Sequence, residues 1–361
     1  MIPLNLPAMA EAERPFVTRL ARRPGGELDS MLIEESAGAA SFAGREGLIV
    51  IDGASAAELD GDVVLILPEH DGLARAERLL RAGSEHNTLL VTERCDQLCV
   101  MCSQPPKKTH IDRFALLEEA CLLAEPDTVI GITGGEPTLY KDQLCGMIER
   151  VLAARDDLEF HVLTNAQHFE REDVARLRDP LYRRVTWGIP LYAADKALHD
   201  EIVSKAGAFA RLEESFAYLL LAGARVELRT VLLSTNLHAL PELARHVTVR
   251  LRFIDAWSIM QLENIGYAKN RWTHLYVNHR EQFGPVAAAL DLAALRGVPA
   301  RLFNFPRCTV PEVYRDQAAV SISDWKRKYM PACATCRERE DCCGFFEWHP
   351  DDDALAGVDP L

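Results

Sequence analysis

The stretch TERCDQLCVMC, residues 92–102, places three cysteines within eight positions of the chain. Three residues separate Cys95 from Cys99, and two separate Cys99 from Cys102. The stretch follows an apolar run from Thr88 to Val91 that predicts a β-strand, so the three thiols are expected on one loop at the end of that strand. Thiolates bind zinc and iron-sulfur clusters, and a short loop with this spacing can wrap a compact cluster.

A second motif, GITGGEPT at residues 131–138, follows the next predicted strand and opens a helix. Glycines permit close approach of the backbone to a ligand, and the Glu136 carboxylate is an acceptor for an ammonium group. Pro137 suits the first turn of a helix. Alone, this string also fits an ordinary strand-to-helix turn. The motifs are about 30 residues apart, enough for one βα unit.

Together the two motifs resemble the signature of radical S-adenosylmethionine (SAM) enzymes. The resemblance implies a four-iron, four-sulfur cluster on Cys95, Cys99 and Cys102, whose open iron is chelated by the amino and carboxylate groups of SAM. It also implies that the SAM amino group is bound by Gly134, Gly135, Glu136 and Pro137. Met101 stands where relatives often have an aromatic residue. A zinc knuckle or a redox loop is the alternative.

Further SAM contacts are expected at the ends of later strands. Thr164-Asn165 resembles the Thr-Asn-Gly of many relatives, which implies a cofactor contact for Asn165. Arg229 either pairs with the SAM carboxylate or forms an internal ion pair. Pro190 and Tyr192 replace the Ser or Asp that relatives often place against the ribose. The resemblance assigns the adenine to backbone groups around Gln261, Asn264 and Gly266.

The pattern from residue 87 onward predicts an α/β fold, because apolar strand-like runs alternate with amphipathic helical stretches. Six βα units predict a partial (β/α)6 TIM-like barrel, with functional residues at the C-terminal ends of its strands. The six strands are predicted to begin near Thr88, Thr128, Glu159, Val185, Val226 and Val249. The predicted helices are Phe114 to Ala124, Lys141 to Ala154, Phe209 to Ala222, Leu237 to His246 and Arg280 to Arg296.

Three regions follow from this pattern. Residues 1–86 contain short β-like runs separated by turn residues and predict a small accessory β-rich domain. Residues 87–270 are the expected radical SAM core. Residues 271–361 lead into a Cys-rich tail. The first region shows no site chemistry, and a structural or partner-docking role is expected for it.

The tail carries five of the ten cysteines. A Cys-x-x-Cys pair with further cysteines nearby is a common metal-binding arrangement. After a radical SAM core, such a tail resembles the SPASM or shorter twitch domain. The resemblance implies one auxiliary four-iron cluster, and structural zinc is the alternative. Its expected ligands are Cys308, Cys333, Cys336 and either Cys342 or Cys343. Cys121 and Cys145 are interpreted as core residues.

The segments Met101 to Lys107, Trp325 to Cys333 and Cys343 to Phe346 resemble the C-type radical SAM maturase of the His-Xaa-Ser system. This resemblance implies reductive cleavage of SAM to a 5′-deoxyadenosyl radical and oxidative modification of a ribosomally made peptide, with a cross-link as one product. Implied partners are a peptide precursor with His-Xaa-Ser repeats, a second radical SAM protein, and an electron donor such as flavodoxin or ferredoxin.

The net charge of −14 argues against general affinity for nucleic acid, which depends on cationic contacts to phosphates. No apolar run has the length of a spanning helix, so no membrane association and a cytoplasmic location are expected. Two other functions fit the motifs. One is radical chemistry on a small molecule or nucleotide. The other is a non-catalytic iron-sulfur subunit, against which the intact Gly134, Gly135 and Glu136 count.

Overall fold

A computed structural model describes residues 3–23, 25–351 and 360–361. The chain divides into two compact units. The first contains residues 1–92 and 111–162, and the second contains residues 93–110 and 163–361. Among the described residues, every helix is too short or too polar to cross a membrane.

The first unit begins with a closed β-barrel of seven strands, in the order β1-β5-β4-β3-β2-β6-β7. Only β2 and β3 pair in parallel, and the other neighbours are antiparallel. Buried side chains such as Phe42, Ile49 and Ile51 alternate with outward-facing ones and form the barrel's apolar core. The elements are β1 (Asn5–Ala10), β2 (Phe16–Ala21), β3 (Asp29–Ser36), β4 (Ala39–Gly44), β5 (Gly47–Asp52), α1 (Ala56–Leu59), β6 (Val63–Pro68) and β7 (Leu73–Leu80).

The first unit continues with parallel strands that alternate with helices, as the sequence predicts. The strand β9 pairs in parallel with both β8 and β10. Helices α2 and α3 pack against each other. The elements are β8 (Thr88–Thr92), α2 (Phe114–Leu122), β9 (Val129–Gly134), α3 (Lys141–Ala154) and β10 (Glu159–Leu163, whose last residue belongs to the second unit).

In the second unit, β11 to β14 pair in parallel and in chain order. Trp257 on β13 is fully buried, and its indole N–H donates to the Thr230 hydroxyl at 2.9 Å. The elements are α4 (Asp173–Leu177), β11 (Val185–Pro190), α5 (Lys196–Val203), α6 (Ala208–Ala222), β12 (Arg225–Val231), α7 (Leu240–Arg250), β13 (Ala256–Met260), α8 (Tyr267–Leu275), α9 (Gly284–Leu295), β14 (Ala300–Phe303), β15 (Arg327–Lys328) and β16 (Phe345–Phe346).

The strand predicted to begin near Val249 is wrong. Residues 249–250 end α7, and the strand that follows is Ala256–Met260. The alternation of apolar and polar residues there is typical of a strand, but the helical period prevails. Leu243, Val247 and Leu251 recur every four residues and are all buried, whereas Val249 is 69% exposed.

The α/β class is confirmed, but the closed barrel of this chain is the N-terminal one, formed by β1 to β7. The parallel strands belong to other sheet segments, β8 to β10 and β11 to β14. A partial (β/α)6 barrel built from them stays a prediction. The predicted boundaries of the three regions also stay predictions.

His199 on α5 predicts acid-sensitive stability. The ring is buried against Tyr192 and Phe209, and burial lowers the pKa of His199 to about 4. The unfolded state binds the proton of this ring more tightly than the folded state does. The contribution of the neutral His199 to the free energy of unfolding is therefore complete above pH 6.5 and is lost as the pH falls from 6.5 towards 4. The difference between the two pKa values corresponds to a loss of roughly 3 kcal/mol in the free energy of unfolding at most.

Replacement His199→Gln is therefore expected to flatten the dependence of unfolding free energy on pH between 4.5 and 6.5, measured by denaturant titration. The exposed His238→Gln is the control. An unchanged slope in His199→Gln would contradict a neutral His199 in the folded state.

Candidate metal centres

The first three cysteines lie together on the loop that follows β8. Burial and the like charges of Cys102 and Cys95 raise the pKa of Cys99 to about 12. Burial also raises the pKa of Cys102, whose thiol donates to the Gln104 carbonyl at 3.0 Å. The surrounding protein by itself therefore favours the neutral thiols, and a bound cationic centre would reverse this preference because metals bind thiolates.

The backbone of this loop is attached to the end of α5. The N–H groups of Leu98 and Val100 donate to the carbonyls of Val203 and Ile202, at 3.2 and 2.9 Å. Arg271 Nη1 donates to the Val100 carbonyl at 2.7 Å. The protein therefore fixes the course of the loop through its own hydrogen bonds.

Gly266 packs directly against the last cysteine of the loop. It has a φ of +59°, and a Cβ there would lie 2.3 Å from the Cys102 carbonyl oxygen and 2.5 Å from that of Ser103. The next residue, Tyr267, donates its N–H to the Cys102 carbonyl at 2.9 Å. The structure thus gives Gly266 a contact with the loop, while the adenine contact inferred for Gln261, Asn264 and Gly266 stays a prediction.

Asp96 connects the loop to residues that follow β10 and α5. Its carboxylate accepts from Asn165 Nδ2 at 2.8 Å, contacts Lys205 Nζ, and lies 3.3 Å from His168 Nε2. Burial alone would raise the pKa of Asp96, but these three donors hold it well below its usual range. Asn165 Oδ1 accepts from the Gln167 N–H at 3.0 Å, so both ends of the Asn165 amide have protein partners.

The sequence allowed two roles for Arg229, a contact with the SAM carboxylate or an internal ion pair, and the structure contains the ion pair. Its Nη1 lies 3.1 and 2.9 Å from the two carboxylate oxygens of Glu227, which also accepts from the Ser258 hydroxyl. Burial raises the pKa of Tyr192 well above its usual value, the thiols of the loop raise it further, and Arg229 opposes them. Tyr192, Arg229 and the thiols, Cys99 foremost, are therefore close enough to interact electrostatically.

The Gly-Gly-Glu-Pro motif lies in the first unit, at the end of β9. A Cβ on Gly134 would lie 2.6 Å from the Thr92 carbonyl oxygen, so only glycine fits without a shift of the backbone. The N–H of Gly135 donates to the same oxygen at 2.8 Å. The two glycines thus allow β9 to end in close contact with β8.

Glu136 is fully buried and begins a short 3₁₀ helix, Pro137–Tyr140. One of its carboxylate oxygens accepts from the N–H of Thr138 at 2.8 Å and from its hydroxyl at 2.5 Å. Pro137 occupies the start of the helix, where the missing N–H has no cost. The SAM contact of these residues stays a prediction.

The second cysteine group converges on one cleft. Four thiols border it, those of Cys308, Cys333, Cys336 and Cys342. Cys343 does not border the cleft but packs with Ile322 and Phe346, and burial raises its pKa well above the usual value. The geometry therefore favours Cys342 over Cys343 as the fourth ligand.

The sulfur of Cys342 is already surrounded by donors. The backbone N–H groups of Arg307 and Gly344 each lie 3.4 Å from it. A side-chain hydrogen bond with Cys343 and these two backbone bonds lower the pKa of Cys342 to about 6, although burial opposes them. Hydrogen bonds to sulfur stabilise thiolates and adjust the potentials of iron-sulfur clusters.

A two-stranded sheet joins the segment before Cys333 to the segment after Cys343. Arg327 pairs with Phe346, and Lys328 pairs with Phe345, in antiparallel register. Gly344 precedes β16 with a φ of +66°, and a Cβ there would lie 2.8 Å from the Lys328 carbonyl oxygen. Two of the segments that resemble the His-Xaa-Ser maturase are therefore neighbours in the structure.

Within the described residues, no three His, Cys, Asp or Glu side chains are gathered around one metal-ion position. A structural zinc ion needs four ligands about 2.0–2.3 Å from one centre, whereas a four-iron cluster presents separate irons to separate sulfurs. The choice of clusters over zinc at the two thiol groups stays a prediction.

Comparison with known proteins gives one family match, over part of the chain. Residues 89–247 match the family described as the radical SAM superfamily. No curated protein matches the chain. Solved structures with similarity include Streptococcus suis SuiB bound to the precursor peptide SuiA, with 18% identity, a TM-score of 0.48, and coverage of 60% of this chain and 48% of that one.

A radical SAM methyltransferase from Sphaerobacter thermophilus has 14% identity and a TM-score of 0.44, with 80% of each chain covered. The enzyme anSMEcpe with bound AdoMet and the Cp18Cys peptide has 14% identity and a TM-score of 0.43, with 59% of this chain and 63% of that one covered. The present chain spans about half the length of SuiB. The match to the radical SAM superfamily covers residues 89–247, which is less than half of this chain.

Replacement Gly266→Ala is expected to displace the Cys102 carbonyl, because the new Cβ would clash with it. Gly207→Ala is the matched control: its φ is +79°, but nothing lies within 4 Å. Both variants incur backbone strain of about 1–2 kcal/mol, seen as a lower melting temperature. Only Gly266→Ala is expected to lose iron from the loop after anaerobic reconstitution. Equal iron contents in the two variants would contradict a tight contact at Gly266.

Proposed function

We propose that this chain is an enzyme that cleaves SAM reductively and modifies a ribosomally made peptide, because residues 89–247 match the radical SAM superfamily. The observation that carries the proposal is the loop of three interacting thiols, Cys95, Cys99 and Cys102, inside the matched region. When bound, the cluster and SAM supply a carbon-centred radical that removes hydrogen from an unactivated C–H bond.

The residues of this chain have separate tasks in that chemistry. Cys95, Cys99 and Cys102 hold the cluster, and the resemblance gives the SAM amino group to the Gly-Gly-Glu-Pro motif. Arg229 has Glu227 as a partner and, like the thiols of the loop, lies close enough to Tyr192 to affect its pKa, which makes Arg229 a candidate for the SAM carboxylate. For Asn165, whose amide groups bind protein, a supporting role is better supported than a direct contact.

Apolar residues behind the loop support its chemistry by excluding water. Met101 and Tyr192 are buried with Leu233 and Leu262, and the partly buried Cys99 packs against this group. An apolar environment that excludes water strengthens the electrostatic interactions of bound groups and limits side reactions of a radical. The family's aromatic position before the last cysteine is filled here by a flexible methionine, which packs well in an irregular space.

We also propose one auxiliary four-iron cluster on Cys308, Cys333, Cys336 and Cys342. Four cysteine ligands leave no open iron for substrate. The auxiliary cluster would then transfer electrons or hold the tail together, and the N–H groups directed at Cys342 are consistent with either task.

The proposed substrate is a precursor with His-Xaa-Ser repeats, and its support is the resemblance of three segments, two of which pair as β15 and β16. A second radical SAM protein and a flavodoxin or ferredoxin are the proposed partners. Radical chemistry on a small molecule or nucleotide is the second candidate. It would be favoured if SAM cleavage proceeded but a His-Xaa-Ser peptide were returned with unchanged mass.

Anaerobic reconstitution with iron and sulfide is expected to give about eight irons per chain, the content of two four-iron clusters. With dithionite and SAM, the protein is expected to form 5′-deoxyadenosine, detected by mass spectrometry. Cys102→Ala should abolish this product and leave about four irons. The buried Cys121→Ala is the matched control, and it should retain both. Zinc in place of iron, or no cleavage of SAM by the wild type, would reject the catalytic proposal.

The fourth auxiliary ligand is tested by a pair of neighbouring variants. Cys342→Ala is expected to lower the iron content from about eight to about four per chain, because it removes a ligand from the cleft. Cys343→Ala should retain about eight, because Cys343 does not border the cleft and its removal takes from Cys342 a hydrogen bond but no ligand. The reverse result would assign the ligand to Cys343.

A further inference from the structure

Asp96 directly follows Cys95 and is the meeting point of three side chains from other segments. Asn165 Nδ2 donates to one carboxylate oxygen at 2.8 Å, and His168 Nε2 lies 3.3 Å from the other. Lys205 Nζ contacts that second oxygen as well. The Asp96 side chain is 21% exposed, so these contacts are partly shielded from water.

The contact with Lys205 extends a run of paired residues. The N–H groups of Leu98 and Val100 donate to the carbonyls of Val203 and Ile202. The three pairs are 100 with 202, 98 with 203, and 96 with 205, so the loop and the segment that ends α5 run in opposite directions. The ion pair of Asp96 with Lys205 is thus the third contact in this series, and it lies at the end nearest Cys95.

This ion pair differs from an ordinary surface pair in its environment. Lys196, at the other end of α5, lies 3.7 Å from Glu213 of α6, and the two side chains are 69% and 35% exposed. Exposed pairs of this kind contribute little. Lys205 is 34% exposed, and its carboxylate partner also accepts from Asn165. Hydrogen bonds to charged and partly buried groups contribute more.

We propose that Asp96 is a positioning residue that holds the first half of the three-cysteine loop, with Lys205 as its charged partner and Asn165 and His168 as supports. This inference rests on the proposed function only where it concerns iron. The positioning itself belongs to the protein without iron, because every contact is between its own residues. Lys205→Met removes the cation and leaves Asp96 without its charged contact.

Hydrogen exchange of the iron-free protein, followed by mass spectrometry of peptides covering residues 95–103, tests the positioning directly. Lys205→Met is expected to speed exchange in this segment roughly tenfold, which is the low end for a lost hydrogen bond to a charged group. Asp96→Asn keeps a neutral acceptor and should give a smaller increase. Lys196→Met is the matched control and should leave the segment unchanged.

A second measurement connects loop position with the cluster. After reconstitution, the faster phase of iron release to a chelator is expected to accelerate several-fold in Lys205→Met but not in Lys196→Met, by the same hydrogen-bond argument. Exchange that is equal in the two lysine variants would overturn the positioning role, whether or not the protein binds iron. Faster exchange with unchanged iron release would overturn the connection to the cluster. Absence of iron from the wild type would reject the proposed function and leave the exchange result interpretable.

Discussion

Cys99 is partly buried beside two other thiols, and this burial together with their like charges raises its pKa to about 12. Three ionised sulfurs in this position would repel one another, and the apolar residues behind them offer no compensation. The loop is therefore stable with neutral thiols or with a strongly cationic centre that binds all three sulfurs. The contacts that fix the loop are made to its backbone and to Asp96: the end of α5 and Arg271 bind backbone groups, and Lys205 contacts the Asp96 carboxylate.

The supports of the loop act at different points along it. The end of α5 pairs with its middle, and Gly266 and Tyr267 contact its last carbonyl. At its beginning, Asp96 receives a cation and two polar side chains. A loop held in this way needs less reordering when it binds a cofactor, which leaves more of the binding energy available for affinity.

The sequence predicts the parts of the structure that depend on local pattern. Strands such as β11, helix α3 and the turn before Pro137 follow from periodicity and from glycine and proline placement. It does not predict that α7 continues through Val249, because four alternating residues fit a strand as well as a helix end. The contact of Lys205 with Asp96 joins residues that are distant in the chain, and only the tertiary structure shows it. The choice between Cys342 and Cys343 also depends on which neighbour faces the cleft.

The two cysteine groups differ in a way that bears on their division of labour. One loop supplies three thiols and no fourth, whereas the C-terminal cleft is bordered by four. A cluster with three protein ligands has an iron available for a substrate, and one with four does not. Cys342 is stabilised as a thiolate by its donors, while Cys99 is not. If both sites bind clusters, the first leaves the coordination of one iron to a ligand such as SAM. In the second, protein cysteines supply all four ligands.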